Sequence, residues 1–284
     1  MKRVLITGQN SYVGNSFAEW VKDDENFDIT KISLRDDSWE GMDFSQFDVV
    51  LHVAGIAHVS TDTKQEELYY RVNRDLTIGV AEKAKQDGIS QFVFMSSIIV
   101  YGDKIEGGVI TRGTVPNPAN FYGKSKLEAE KGILPLQNDP FNIAIVRPPM
   151  IYGKNSKGNY PKLAKLAKIS PVFPDIENKR SMLHIDNLSE FIKLLINNDD
   201  RGLFFPQNEE YVKTSEMVRL IGEVHGKRIR LTKAGNLPLN YLVNKVNIIN
   251  KVFGDLFYSK NLSNYKSKYQ LKSLKESIIS TESS

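Results

Sequence analysis

Val4-Leu5-Ile6-Thr7-Gly8-Gln9-Asn10-Ser11-Tyr12-Val13-Gly14 decides how the rest of the chain is read. An apolar run ends in a turn bounded by two glycines, and apolar residues at helical spacing follow at once, from Gly14 to Val21. Strand, tight turn and helix in that order set backbone N–H groups and the positive end of a helix dipole where a pyrophosphate would lie. Gly8 and Gly14 fit the outer positions of a Gly-x-x-Gly-x-x-Gly loop, while Ser11 stands in the middle one. An ordinary strand-to-helix turn is the alternative reading.

Working outward, the same rhythm repeats. Apolar runs recur at Ile29 to Leu34, Val49 to Val53, Phe92 to Met95 and Ile143 to Val146, and amphipathic stretches at Glu66 to Gln86 and Tyr122 to Ile133 lie between them. This is βαβ alternation, which builds a parallel sheet and an α/β fold. After Arg147-Pro148-Pro149 the alternation fails and Gly, Asn and Lys crowd into Gly153 to Asn159, the edge of a second region. The length of 284 residues, at about 150 per domain, allows two domains or one large α/β domain with an appended part. The run from Leu237 to Phe257 is apolar and basic and reads as a helix packed within the smaller domain, with a membrane-surface helix as the alternative. Ser280 to Ser284 read as a frayed tail.

Composition narrows the chemistry. With 40% apolar and 25% charged residues the chain is globular. The absence of cysteine excludes a disulfide framework, a thiol nucleophile and cysteine-based zinc sites. His52, His58, His184 and His225 are scattered, with no metal-ligand spacing. The net charge of +4 is spread along the chain, so no nucleic-acid partner is expected and an anionic small substrate is compatible. The run after Met1-Lys2-Arg3 is too short for a signal peptide, and no stretch of about 18 apolar residues follows. The expectation is a soluble cytoplasmic protein with no integral membrane segment.

The second apolar run ends at Ile32-Ser33-Leu34-Arg35-Asp36. NAD-binding chains usually carry a carboxylate there against the ribose 2′-hydroxyl. Ser33 and Arg35 suit a 2′-phosphate, so NADP(H) is favoured, with NAD(H) the alternative because Asp36 and Asp37 follow closely. Tyr122 and Lys126 stand four residues apart, one helical turn, so a phenol and an ammonium can face one cleft. Ser97 follows the fourth apolar run and precedes Tyr122 by 122 − 97 = 25 positions.

Taken together, these residues resemble the extended short-chain dehydrogenase/reductase family, the NAD-dependent epimerase/dehydratase group. The resemblance also rests on Ala54-Gly55, on Asn73 in Tyr70-Arg71-Val72-Asn73, on Arg147-Pro148-Pro149-Met150-Ile151-Tyr152-Gly153, and on Arg180-Ser181-Met182-Leu183-His184-Ile185-Asp186. It implies a Rossmann-type doubly wound parallel sheet spanning residues 1–153 and about 182–205. A smaller, discontinuous substrate-binding domain would take about 154–181 and 206–279. Tyr122 would be the general acid-base, Lys126 would hold the nicotinamide ribose and lower the phenol's pKa, and Ser97 would hydrogen-bond the reacting oxygen. Asn73 would support the active-site helix. The implied cofactor contacts are Gly8, Ser11, Tyr12, Val13, Gly14, Ser33, Arg35, Ala54, Gly55, Asn73, Tyr122, Lys126 and Pro148. Those implied for substrate are Ser97, Ile98, Ile99, Asn159 and Arg180, with Arg180 on the diphosphate; a surface salt bridge is the alternative for Arg180, and a plain loop residue for Asn159. His184 reads as a core residue. The chain departs from the family pattern at Ser11, and in the 12 residues between Arg35 and Asp48, too few for a further strand with an adenine-contacting acid. Asp43 is the nearest candidate for that acid.

Within the group, a dehydratase carries Asp-Glu immediately after the serine or threonine, where this chain has Ile98-Ile99. Dehydration is therefore disfavoured, and two apolar side chains suit a 6-deoxy methyl group. Ala57-His58-Val59, Arg147 to Gly153 and Lys179-Arg180-Ser181 look most like bacterial UDP-4-keto-6-deoxy-N-acetylhexosamine 4-reductases, which supply sugars for capsule or O-antigen. A UDP-N-acetylhexosamine 4-epimerase with retained NAD is the second expectation. A non-catalytic NAD(P)-sensing regulator is the third, and Tyr122 with Lys126 counts against it. The resemblance also implies a homodimer.

Overall fold

Apolar strands that bury both faces need helices on both sides of the sheet, and the chain supplies them by crossing over after each strand. The computed structural model describes residues 1–57, 62–103, 105–234, 236–243 and 246–283. In chain order its elements are β1 (Lys2–Thr7), α1 (Tyr12–Trp20), β2 (Phe27–Ile32), β3 (Val49–His52), α2 (Glu66–Tyr70), α3 (Leu76–Gln86), β4 (Gln91–Met95), β5 (Val109–Ile110), α4 (Phe121–Ile133) and β6 (Asn142–Val146). There follow β7 (Met150–Tyr152), α5 (Asn159–Ile169), β8 (Val172–Pro174), β9 (Met182–His184), α6 (Ile185–Asn197) and β10 (Gly202–Phe204). The last are α7 (Thr214–Val224), β11 (Arg230–Thr232), α8 (Asn236–Val243), α9 (Asn247–Phe253), β12 (Phe257–Tyr258) and α10 (Leu274–Glu282).

Residues 1–102, 115–148 and 188–206 form one compact unit. Its six-stranded sheet runs β10-β6-β4-β3-β1-β2, parallel throughout. Leu5, Val50, Phe92, Phe94, Ile143 and Ile145 pack on one face with Val80, Ala81 and Ala84 of α3 and Ala129 and Ile133 of α4. The alternate residues Val4, Ile6, Val49, Leu51 and Val93 are equally buried, as are Phe17 of α1 and Leu188 and Ile192 of α6. The doubly wound sheet expected from the sequence is present. Between β2 and β3 the described chain makes a single 3-10 turn, Asp37–Gly41, capped by Asp36. The predicted helix from Glu66 to Gln86 forms as α2 and α3 joined by a π turn at Arg71–Asp75.

Residues 103–114, 149–187 and 207–284 form the second unit. It holds three short parallel pairs, β7 with β9, β8 with β11 and β5 with β12. Tyr152, Tyr160, Leu163, Phe173, Met217, Ile221 and Ile278 are among its core residues. The division therefore falls elsewhere than the sequence suggests. Residues 103–114, 149–153 and 182–187 belong to the second unit because β5 pairs with β12 and β7 with β9, partners 148 and 32 positions apart. Only β10 returns to the main sheet, on β6.

A frayed tail from Ser280 is not what forms. α10 runs to Glu282 from a Ser273/Glu276 capping box, and Ser277 and Ile278 are fully buried. The Glu282 carboxylate accepts from the Tyr160 hydroxyl at 2.9 Å and pairs with Lys168 at 2.9 Å, which docks the helix end. The stretch from Leu237 to Phe257 holds α8 and α9 instead of one helix; Val252 and Phe253 pack on the second core, while Leu237 and Tyr241 are exposed. Among the described residues no helix is long and apolar enough to cross a membrane.

Candidate active site

Parallel register brings the strand ends of the first unit into line. Thr7 pairs with His52, His52 with Phe94 and Phe94 with Ile145, so the residues that follow leave the sheet along one edge. Gly8, Ala54, Gly55, Ser97 and Pro148 all lie just beyond those ends, which is where open α/β sheets place ligand-binding residues.

Gly8 has φ +100°, and a Cβ there would lie 3.0 Å from the backbone N and Cα of Ala54. The position demands glycine on both counts. Ser11 does not, with φ −66°; its hydroxyl caps α1 by accepting from the Gly14 N–H at 3.3 Å. The departure at the middle position is thus a helix cap. Tyr12 and Val13 form the first turn of α1, where backbone N–H groups have no acceptor within the helix and point out from its end. Gly14 is buried, since a Cβ would come 2.8 Å from the Ile6 side chain. A close-packed glycine turn opening onto a helix N-terminus fits the diphosphate of a dinucleotide.

At the tip of β2 the half-buried Ser33 hydroxyl accepts from the Arg35 N–H at 3.2 Å. The Arg35 side chain is exposed and forms no ion pair among the described residues. The Asp36 carboxylate caps the following turn, accepting from the Ser38 N–H at 3.1 Å and from its hydroxyl, which holds its pKa below the usual carboxylate range. Asp43 is exposed and similarly occupied, accepting from the Ser45 N–H at 2.8 Å.

α4 starts at a well-formed cap, with Asn120 Oδ1 accepting from the Gly123 N–H at 2.9 Å. Gly123 lets the helix come close to the turn after Ser97, because a Cβ there would stand 2.8 Å from the Ile99 carbonyl oxygen. Tyr122 is buried, on the helix that Gly123 brings against the turn after Ser97. Burial pushes the Tyr122 pKa up, and the nearby Ser97 hydroxyl opposes that rise. Lys126 is buried one turn further on; its Nζ donates to the Met95 carbonyl at 3.0 Å and lies 4.7 Å from the Phe94 ring centre. Burial lowers the Lys126 pKa to about 8 against the opposing pull of Glu130. The family resemblance implies that Lys126 lowers the phenol's pKa. In this structure the ammonium is turned to the end of β4, and the groups that shift the Tyr122 pKa are burial and Tyr69, which raise it, and Ser97, which lowers it.

Asn73 sits in the π turn, fully buried. Its Oδ1 accepts from the Ile56 N–H at 2.8 Å, and its Nδ2 donates to Ser125 Oγ at 3.2 Å. Ser125 in turn donates to the Tyr122 carbonyl at 2.9 Å, so Asn73 ties the loop after β3 to α4. Gly55 lies against it, since a Cβ there would be 2.9 Å from Asn73 Oδ1. His52, which the sequence reading set aside, is fully buried between the hydroxyls of Thr7 at 2.8 Å and Thr77 at 3.0 Å. Burial, with Lys126 nearby, lowers its pKa to about 3, so the ring is neutral at ordinary pH. Ile98 is buried and Ile99 half-buried in the turn that Ser97 caps, and the Pro148 carbonyl accepts from the Ile98 N–H at 2.9 Å. Thus Gly8, Ser11, Asn73, Ser97, Tyr122, Lys126 and Pro148 are brought to one edge of one unit.

The remaining candidates lie in the second unit. Arg180 Nη1 donates to the Gly254 carbonyl at 2.8 Å, and to that of Asn250 at 3.4 Å, at the end of α9. It forms no ion pair among the described residues, so the surface salt bridge is not present; burial lowers its pKa, and Asp103 and Asp255 oppose this. Asn159 is exposed as the first residue of α5. His184 is a core residue of β9, its pKa lowered to about 4 by burial. His58 and Val59 lie outside the described residues.

A doubly wound parallel sheet with a glycine turn after β1, and with Ser97 after β4 near Tyr122 and Lys126 of α4, is the architecture of a nicotinamide-dinucleotide enzyme. The chain belongs to the NAD dependent epimerase/dehydratase family, whose profile matches residues 4–204. It is 32% identical over 245 residues to a UDP-glucose 4-epimerase of Vibrio cholerae, covering 77% of this chain and 74% of that protein. It is 30% identical over 218 residues to an N-acetyl-alpha-D-glucosaminyl-diphospho-ditrans,octacis-undecaprenol 4-epimerase of Escherichia coli O157:H7, covering 70% of this chain and 64% of that one. Its fold is like that of RMD from Pseudomonas aeruginosa, solved with NADPH, at a TM-score of 0.74, 17% identity and 99% coverage of each chain.

Proposed function

We propose that the chain is an NADP(H)-dependent oxidoreductase acting at C4 of a nucleotide sugar, and that its reaction is reduction of the 4-ketone of a UDP-4-keto-6-deoxy-N-acetylhexosamine. The observation that carries the reading is the Tyr122 phenol, buried one turn before the buried Lys126 on a helix packed against the turn after Ser97. The nicotinamide, when bound, supplies the hydride. Tyr122 gives its proton to O4, Ser97 polarises the carbonyl by donating to the same oxygen, and Lys126 holds the ribose beside them. The raised pKa keeps the phenol protonated at neutral pH, as a proton donor requires. Ile98 and Ile99 add no acid or base for eliminating water, which supports ketone reduction over dehydration. The exposed Arg35 beside Ser33, with Asp36 engaged in its own turn, supports a 2′-phosphate.

The two relatives above favour a second reading, a 4-epimerase with retained NAD and the same residues. Nicotinamide absorbance is followed with NADPH or NADH and UDP-4-keto-6-deoxy-N-acetylglucosamine. Stoichiometric NADPH loss that disappears in Tyr122→Phe is expected. Protein that arrives with bound NAD, oxidises neither cofactor and interconverts UDP-N-acetylglucosamine with its C4 epimer would replace reductase by epimerase.

A further inference from the structure

Ser97 lies in a turn held at both ends by one buried ion pair. Arg147, directly after β6, presents its guanidinium edge to Glu130 of α4, with Nε 3.0 Å from Oε1 and Nη2 on Oε2. The two residues are 6% and 2% exposed, so water does not compete for either. The Ser96 hydroxyl donates to the same Glu130 Oε1, immediately before Ser97. At the other end Arg147 Nη1 donates to the Tyr101 hydroxyl at 2.6 Å, and its Cζ lies 5.0 Å from that ring's centre. Tyr122, Lys126 and Glu130 follow one another at four-residue steps along one face of α4.

Buried ion pairs are weak sources of stability, since apolar side chains of similar volume often replace them without loss. What this one supplies is geometry: a planar fork accepts only one arrangement of its partners. We infer that the Glu130–Arg147 pair, with Ser96 and Tyr101 as its two arms, positions the Ser97 turn against α4 and so sets the approach of the Ser97 hydroxyl to the Tyr122 phenol. The four are positioning residues for the reaction proposed above, on which the kinetic part of the inference rests. The opposing pull of Glu130 on the lowered Lys126 pKa is a second effect of the same placement.

The test compares Ser96→Ala, Tyr101→Phe and the double variant Glu130→Met/Arg147→Met with wild type. Each is assayed for unfolding midpoint, NADPH affinity, kcat and KM, and for the Tyr122 Cζ carbon resonance in ζ-labelled protein, assigned by its loss in Tyr122→Phe. Expected are a near-wild-type unfolding midpoint and NADPH affinity, and a kcat lowered about 10- to 100-fold in the double variant with KM little changed, as for an ångström-scale misplacement. The Tyr122 titration should move to higher pH as Ser97 is displaced from the phenol, with smaller effects in the single variants. Wild-type kcat together with wild-type Tyr122 titration would overturn the inference. If the double variant does not fold, the two single variants decide by the same readouts. If wild type turns over no nucleotide sugar, the functional reading fails, while the Tyr122 resonance still decides the positioning role.

Discussion

Replacing Lys126 by methionine should abolish turnover and yet stabilise the fold at neutral pH. The ammonium is buried, and burial lowers its pKa from 10.5 to about 8. Each pKa unit is about 1.4 kcal/mol, so holding the charged form at pH 7 disfavours the folded state by about 3 kcal/mol. Methionine removes that penalty and fills a similar volume. It also loses the bond to the Met95 carbonyl, an offset of about 1 kcal/mol. The net expectation at pH 7 is a gain of about 2 kcal/mol. Between pH 8 and pH 10.5 the unfolded lysine keeps a proton that the folded one has shed, so wild-type stability rises with pH relative to the variant. Paired urea titrations of both proteins at pH 7 and pH 10 read the difference directly. A variant less stable than wild type at pH 7, or a stability difference that does not change with pH, would refute the buried-charge argument.

Three further outcomes are expected. Arg35→Ala should raise the Kd for NADPH by about 10- to 100-fold while leaving that for NADH nearly unchanged, the size of one charge-assisted bond to a 2′-phosphate; isothermal titration with both cofactors checks it. Gly123→Ala would put a methyl 2.8 Å from the Ile99 carbonyl oxygen, and the forced shift of α4 should cost about 1–3 kcal/mol, measured by chemical denaturation. His52, with its folded pKa lowered to about 3, takes up a proton on unfolding between that value and its ordinary 6.5. Stability should therefore fall as pH drops through that window, by about 5 kcal/mol in all, and His52→Gln should flatten this part of the acid-denaturation curve.

The main sheet was legible because its signals are local. Val4 to Ile6, Val49 to Val53 and Phe92 to Met95 are apolar runs bounded by turns, and Gly8 marks a left-handed backbone position in its loop where a side chain would be strained. Ser97, Tyr122 and Lys126 were found by spacing and resemblance. What the sequence concealed depends on partners far along the chain. Nothing near Val109-Ile110 announces Phe257-Tyr258 as its strand partner. The spacing of residues 66–86 shows one helix, whereas the π turn that carries Asn73 is a local slip of the hydrogen-bond ladder with no residue signature. Glu130 did leave a signal, as the next member of the Tyr122/Lys126 stripe. An acid among buried helix positions needs a cation, and Arg147 supplies it from 17 residues away.

The chain crosses between its two units after residues 102, 114, 148, 187 and 206. During synthesis neither unit exists as a finished stretch of nascent polypeptide. The main sheet waits for Gly202–Phe204 to emerge and take its place beside β6, and until then that flank of β6 offers unpaired backbone to any passing strand. The sheet thus stays incomplete on the ribosome until the stretch after β6, through Phe204, has emerged.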